Sequence, residues 1–260
     1  MPIDVPKGAS TTSPERRRAR EPRERADTPT TSAKSALATT LLTTLFVTIT
    51  SYFAPDEWAA TAVGAIFLVV TYWRVVHGSS DARVRHHGIA FGGLLETRPL
   101  EWRRLLLETT KASSAALVTA LVVFPPFAFG FLLWWQPESS FQFRSVSRVV
   151  ADALGQLLVV ALPEEVFYRG YLQTSLDDAW KSRVKLFGGT LSPGLVVTSA
   201  IFALGHVLTE PNPSRLAVFF PSLLFGWLRT RTRGVGASVG FHALSNLYSA
   251  YLGRCFGMWS

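Results

Sequence analysis

Seven apolar stretches, each close to the length of a bilayer crossing, leave this chain few ways to fold. They occupy residues 36–53, 58–76, 112–135, 149–171, 193–208, 216–228 and 235–252. A helix of about 20 apolar residues crosses the hydrocarbon core, and in lipid only helices and closed barrels pair all their backbone polar groups. Runs this long exceed a strand, so the expected fold is an all-α polytopic membrane bundle of about seven transmembrane helices. Composition agrees, because 48% of the 260 residues are hydrophobic and only 17% are charged, too apolar a balance for an ordinary soluble domain. The first stretch holds seven Ser and Thr residues, which a helix accommodates by bonding hydroxyls back to its own carbonyls. The sixth is short, and Pro221 interrupts it.

The segments between the stretches alternate in charge. Arg83, Arg85, Arg98, Arg103 and Arg104 follow the second stretch, Lys181, Arg183 and Lys185 the fourth, and Arg229, Arg231 and Arg233 the sixth. The intervening turns around Asp56-Glu57 and Glu210 are acidic. The positive-inside rule then puts the N-terminus in the cytoplasm and the C-terminus outside after seven spans. A net charge of +8 and a pI near 10.1 therefore point to the anionic headgroups of a lipid bilayer, and nucleic acid is not an expected partner. Between the second and third stretches, residues 99–111 read as an amphipathic interfacial helix, with Trp102 and leucines toward lipid and arginines toward headgroups.

Residues 1–34 mix Pro, Thr, Ser and Arg with almost no aliphatics, so they read as a disordered basic cytoplasmic tail without a cleavable signal sequence. The rest divides into N-terminal transmembrane helices over 35–148 and a core carrying the chemistry over 149–252. The lone cysteine, Cys255, cannot form an internal disulfide. Arginine outnumbers lysine 21 to 5, a bias of GC-rich bacterial genomes that suggests a bacterial inner membrane.

The fourth stretch contains what a lipid-facing helix avoids. Glu164, Glu165 and Arg169 lie within it, and each ionisable group at membrane depth costs roughly 2.5–3.5 kcal/mol on insertion scales, so such groups face a protein interior or a cavity. Glu165 and Arg169 are four apart on one helix face and suit an ion pair. Glu164 points about 100° away, with Tyr168 one turn below it. Neutralising Glu165 leaves Glu164 as a candidate general base, and Pro163 removes a backbone hydrogen bond just before the pair, loosening the helix there. Two later stretches each carry a histidine: His206, four residues after Phe202, and His242, four before Asn246. Imidazole and carboxamide on one face form a donor pair for a developing oxyanion. Singly, each group is equally well read as structural glue between helices or part of a proton path.

Together, Glu164-Glu165-x-x-x-Arg169, Phe202-x-x-x-His206 and His242-x-x-x-Asn246 resemble, in order, the three motifs of the CPBP intramembrane proteases, also called the type II CAAX-prenyl protease and bacteriocin-processing family. The resemblance covers about residues 149–252. It implies a glutamic intramembrane endopeptidase with a conical cavity open to the membrane. Glu164 and His206 would activate water, His242 and Asn246 would hold the oxyanion, and Glu165 with Arg169 would order the catalytic groups. It also implies a membrane-anchored protein or lipidated peptide as substrate: a prenylated C-terminus, a bacteriocin leader or a C-terminal sorting anchor.

The family was once considered zinc-dependent, and Glu164, His206 and His242 are the zinc ligands to consider. No His-Glu-x-x-His pair lies on one helix, so the metal-free glutamate mechanism is the expectation. Two rival functions stand beside it. A non-proteolytic scaffold or immunity protein of this fold should lack a motif residue, and a proton-coupled transporter should carry inverted repeats. Placed on the seven stretches, His206 falls nearer the outer end of its span than Glu164 or His242, unless the fifth helix starts closer to Leu186 or tilts.

Overall fold

The computed structural model describes residues 31–258, so the expected tail lies outside the described residues apart from its last four positions. Of those, Ala33 and Lys34 already open helix α1 (Ala33–Phe53), where the Ser32 hydroxyl caps the first turn by accepting from the Ser35 amide at 3.2 Å. Two threonines of α1 bond back to its own carbonyls as expected, Thr40 to that of Ala36 at 2.9 Å and Thr43 to that of Thr39 at 2.8 Å. After the turn at Ala54-Pro55, α2 (Asp56–Val76) begins with Asp56 and Glu57, whose charges complement the helix dipole.

A short α3 (Asp81–His86) and a loop then lead to α4 (Trp102–Trp135), a single helix of 34 residues. The separate interfacial helix expected over 99–111 is not formed, because its residues are the first turns of α4. The reason is local, since neither Gly nor Pro breaks the helix between Trp102 and Val123. At about 1.5 Å per residue α4 is roughly 51 Å long and overshoots a hydrocarbon core of about 30 Å. Its basic end is held by Glu96, which accepts from Arg104 at 2.7 Å and Arg85 at 3.1 Å. The bond from Arg104 holds the Glu96 carboxyl below its ordinary pKa, against the upward push of burial. Gly92 sits at φ 68°, where an added Cβ would fall 2.7 Å from Leu105 Cα, so only glycine lets this loop lie against α4.

Residues 147–180 form one continuous helix, α5, in which wide π-type turns at Gly155–Ala161 and Val166–Gln173 flank the regular turn Leu162–Glu165. Such turns often occur at functional positions. Pro163 has no N–H for the Val159 carbonyl one turn earlier, and α2 approaches that carbonyl at Gly64, where a Cβ would lie 2.7 Å from the oxygen. Next comes a hairpin, β1 (Val184–Leu186) and β2 (Gly189–Leu191), turning through Phe187 and Gly188 at φ 46° and 79°. The all-α expectation is corrected to that extent, and so is the suggestion that the fifth helix starts near Leu186.

Helix α6 (Pro193–Thr209) is capped by Ser192, with proline at its first position. A 3₁₀ segment (Pro213–Val218) precedes α7 (Phe219–Thr232), which α8 (Gly236–Cys255) follows. Pro221 does not interrupt α7, because it falls in the first turn, where the missing N–H has no partner to lose. Helices α1, α2 and α4 are long and apolar enough to cross a membrane, and α6 is a shorter apolar helix. The protein is thus a helical membrane-type bundle.

The bundle has two unlike ends. At one, the basic segments converge: His86 pairs with Asp178 at 2.7 Å, Arg229 donates to the His86 carbonyl at 2.6 Å, and His87 Nδ1 lies 2.8 Å from the Gly170 carbonyl. Burial pushes the His87 pKa down to about 3, so its neutral ring donates to that carbonyl. At the other end Tyr52 donates to the Leu208 carbonyl at 3.1 Å and the Gln142 amide to that of Cys255 at 2.9 Å.

Candidate active site

The three sequence motifs meet in the middle of the bundle. Glu165 and Arg169 are fully buried, and Arg169 Nε donates to Glu165 Oε2 at 3.1 Å, as their spacing suggested. The second contact of Arg169 was not foreseen: Nη2 donates to Ser222 Oγ of α7 at 2.9 Å. Its guanidinium also lies 5.1 Å from the Phe202 ring centroid and 5.7 Å from that of Phe225, a cation–π arrangement. Arg169 therefore ties α5 to α6 and α7 as well as neutralising Glu165.

His242 stands between the two glutamates. Its Nδ1 is 3.0 Å from Glu165 Oε1 and its Nε2 is 3.8 Å from Glu164 Oε2. The Phe225 ring stacks on the imidazole at 4.6 Å and 13°, fixing the ring plane. A carboxylate only accepts, so Nδ1 is the donor to Glu165. His206 is fixed in another way: its Nδ1 lies 3.0 Å from the Phe202 carbonyl of its own helix. That carbonyl also can only accept, so neutral His206 carries its proton on Nδ1 and keeps the Nε2 lone pair free. Phe202 packs against His206 at 4.4 Å and edge-on against Tyr168 at 5.0 Å, and it meets the His242 ring at 5.9 Å. This phenyl ring is the shared wedge among all three motifs.

Asn246 takes a partner that sequence reasoning missed: its amide donates to Gln156 Oε1 at 3.0 Å. A glutamine eight residues before Glu164 in an apolar run was the available signal. Ser222, directly after Pro221, was the corresponding signal in α7. The depth mismatch of His206 also changes. Because α5 continues to Trp180, Glu164 lies mid-helix, within reach of the last turn of α6.

Glu164 and His206 face a cavity of about 240 Å³ together with Tyr168, Gly205 and Thr209. The Glu164 side chain is 15% exposed, and its Oε2 has no hydrogen-bond partner among the described residues. Gly205 has only hydrogen where a Cβ would lie 3.4 Å from the Tyr168 hydroxyl. Much of the wall comes from α1 and α2, through Thr44, Val47, Val63 and Phe67 among others, although the sequence marked those helices only as apolar. His242 and Asn246 are not in this wall; from α8, His242 backs the glutamates and Asn246 holds Gln156. Among the described residues no group of three or more His, Cys, Asp or Glu side chains is placed to hold a metal ion.

Residues 146–248 match the family model of type II CAAX prenyl endopeptidases, Rce1-like. No curated protein and no solved structure matches the chain.

Proposed function

Starting from a chain whose residues 146–248 are a domain of the Rce1-like type II CAAX prenyl endopeptidase family, the family that its three motifs resemble, we propose that the protein is an intramembrane endopeptidase using a glutamate-activated water. The observation that carries this reading is that Glu164 and His206, whose backbone bond uses Nδ1 and leaves Nε2 available, line one cavity. Water held between them loses a proton to Glu164 as its oxygen attacks the scissile carbonyl. The carbonyl becomes a tetrahedral oxyanion, and the proton on Glu164 then passes to the leaving amine, which breaks the C–N bond and restores the carboxylate. His242 and Asn246 are the donors for the oxyanion. That role requires His242 as the imidazolium, since Nδ1 already donates to Glu165, and it requires the Asn246 amide to turn from Gln156 toward the substrate. Glu165, Arg169 and Ser222 hold His242 and the helix in register, and no step runs through a metal.

The scaffold reading is disfavoured because no motif residue is missing, and the transporter reading because α1 to α4 carry no counterpart of the Glu164–Arg169 segment. Comparing membrane proteomes from cells expressing wild type and Glu164→Gln tests the proposal. New C-termini on membrane-associated proteins should appear with wild type alone, whereas changes common to both strains would favour a scaffold.

The proposed topology has seven spans, with a cytoplasmic N-terminus in a bacterial inner membrane, from the alternation of charge between helices. Reporter fusions after Lys111 and Arg233 should read as cytoplasmic and those after Glu138 and Glu210 as external. An external signal after Arg233 would remove this topology.

A further inference from the structure

The cavity has a direction. Along each helix that lines it, the wall runs from the level of Glu164 toward the same end of the bundle. On α1 it runs from Thr44 to Ser51, on α2 from Phe67 back to Ala59, on α5 from Tyr168 back to Val159, and on α6 from Gly205 to Thr209. Thr209 is the last residue of α6, and Ser51 is two residues from the end of α1. The mouth therefore lies beside the acidic turn at Asp56-Glu57 and beside Glu210.

The opposite direction is closed. Every residue of α5 from Glu165 to Leu176 is buried. Below that layer Arg74 of α2 donates to the Tyr171 hydroxyl at 3.2 Å and to Ser35 Oγ of α1 at 2.5 Å, binding three helices into a plug. This closed end is where the segments rich in Lys and Arg converge. At the open end the cations Arg144, Arg148, Arg215 and Arg254 are matched by Asp56, Glu57, Glu138, Asp152 and Glu210, with Arg215 paired to Glu210 and Arg254 lying 3.8 Å from Asp152. An excess of Lys and Arg marks the cytoplasmic side.

We infer that the cavity opens on the extracytoplasmic face, and that its substrate is a polypeptide segment presented from that face, as on an exported or membrane-anchored envelope protein, rather than a lipidated C-terminus presented from the cytoplasm. The mouth is axial. Tyr52 bridges α1 to α6 at the rim, and α2 meets the α5 backbone closely at Gly64, so these two seams are shut and an extended peptide reaches Glu164 from the end of the bundle. The substrate half of this inference rests on the protease reading, whereas the direction of the cavity does not.

Cysteines placed at the mouth, Thr209→Cys and Ala60→Cys, and at the plugged end, Ser182→Cys, in a chain with Cys255→Ser, test it with a membrane-impermeant maleimide. Both mouth cysteines should react in intact cells, Ser182→Cys should react only in inside-out vesicles, and modification of Thr209→Cys from outside should cause loss of cleavage. Two mouth positions are used so that poor accumulation of one variant leaves the other to decide. Mouth cysteines that react only in inside-out vesicles, with cleavage still dependent on Glu164, would overturn the inference and spare the protease reading. Labelling from outside in a protein whose Glu164→Gln variant cleaves as well as wild type would uphold the direction and overturn the substrate.

Discussion

Purified Glu164→Gln protein is expected to lose turnover while keeping its fold. The amide matches the carboxylate in size and still fits beside His242, but it cannot take a proton from water. A positioned base contributes about 100- to 10,000-fold, and the same carboxylate must return the proton to the leaving amine, so kcat should fall by at least the upper figure. Melting temperature in detergent and binding of an uncleaved substrate should remain near wild type. His206→Ala should resemble it in activity, because it removes the second group beside the water. Asn246→Ala should retain more activity, slowing turnover by roughly 100- to 1,000-fold as loss of a single oxyanion donor does. Excess chelator should leave the wild-type rate unchanged. A Glu164→Gln protein as active as wild type would remove the glutamate mechanism.

Arg169→Ala differs in kind, because its first effect is on stability. It strips Glu165 of its buried arginine partner, leaving only the His242 bond, leaves Ser222 Oγ without its donor, and takes a cation from between the Phe202 and Phe225 rings. Breaking a buried pair by removing one member costs about 3–5 kcal/mol, a large share of the roughly 5–15 kcal/mol that separates folded from unfolded domains. Reduced accumulation and a clearly lower melting temperature should accompany lost activity. Arg169→Lys should recover little, since a single ammonium cannot reproduce the forked contact to Glu165 and Ser222. If Arg169→Ala melted within a degree or two of wild type, Arg169 would not be the tie between α5, α6 and α7.

Much of the bundle was legible in the chain because bilayer-length apolar runs admit so few structures. The Glu165–Arg169 pair was equally legible, since helical spacing alone puts those side chains on one face. The expected interfacial helix was lost to simple continuity: residues 102–111 are mostly good helix formers, and no Gly or Pro separates them from the next turns of α4. Pro221 misled in the opposite sense, because its effect depends on where α7 begins, and that is set by the 3₁₀ turn ahead of it. The β1–β2 hairpin is too short to leave a periodic signal.

What sequence order could not reveal was convergence between helices far apart in the chain. Ser222 on Arg169, Gln156 on Asn246 and Phe225 on His242 are pairings 53, 90 and 17 residues apart, and none has a periodic signature. Nor could the chain assign cavity walls to α1 and α2, whose lining residues are ordinary small and apolar side chains until packing turns them toward Glu164. The residue types and their local spacing singled out the candidate groups for the site, because charge in an apolar helix is costly and therefore conspicuous. The tertiary structure alone decided which proton positions those groups hold, what backs them and toward which end they open, because each of those depends on distances between helices that no local pattern encodes.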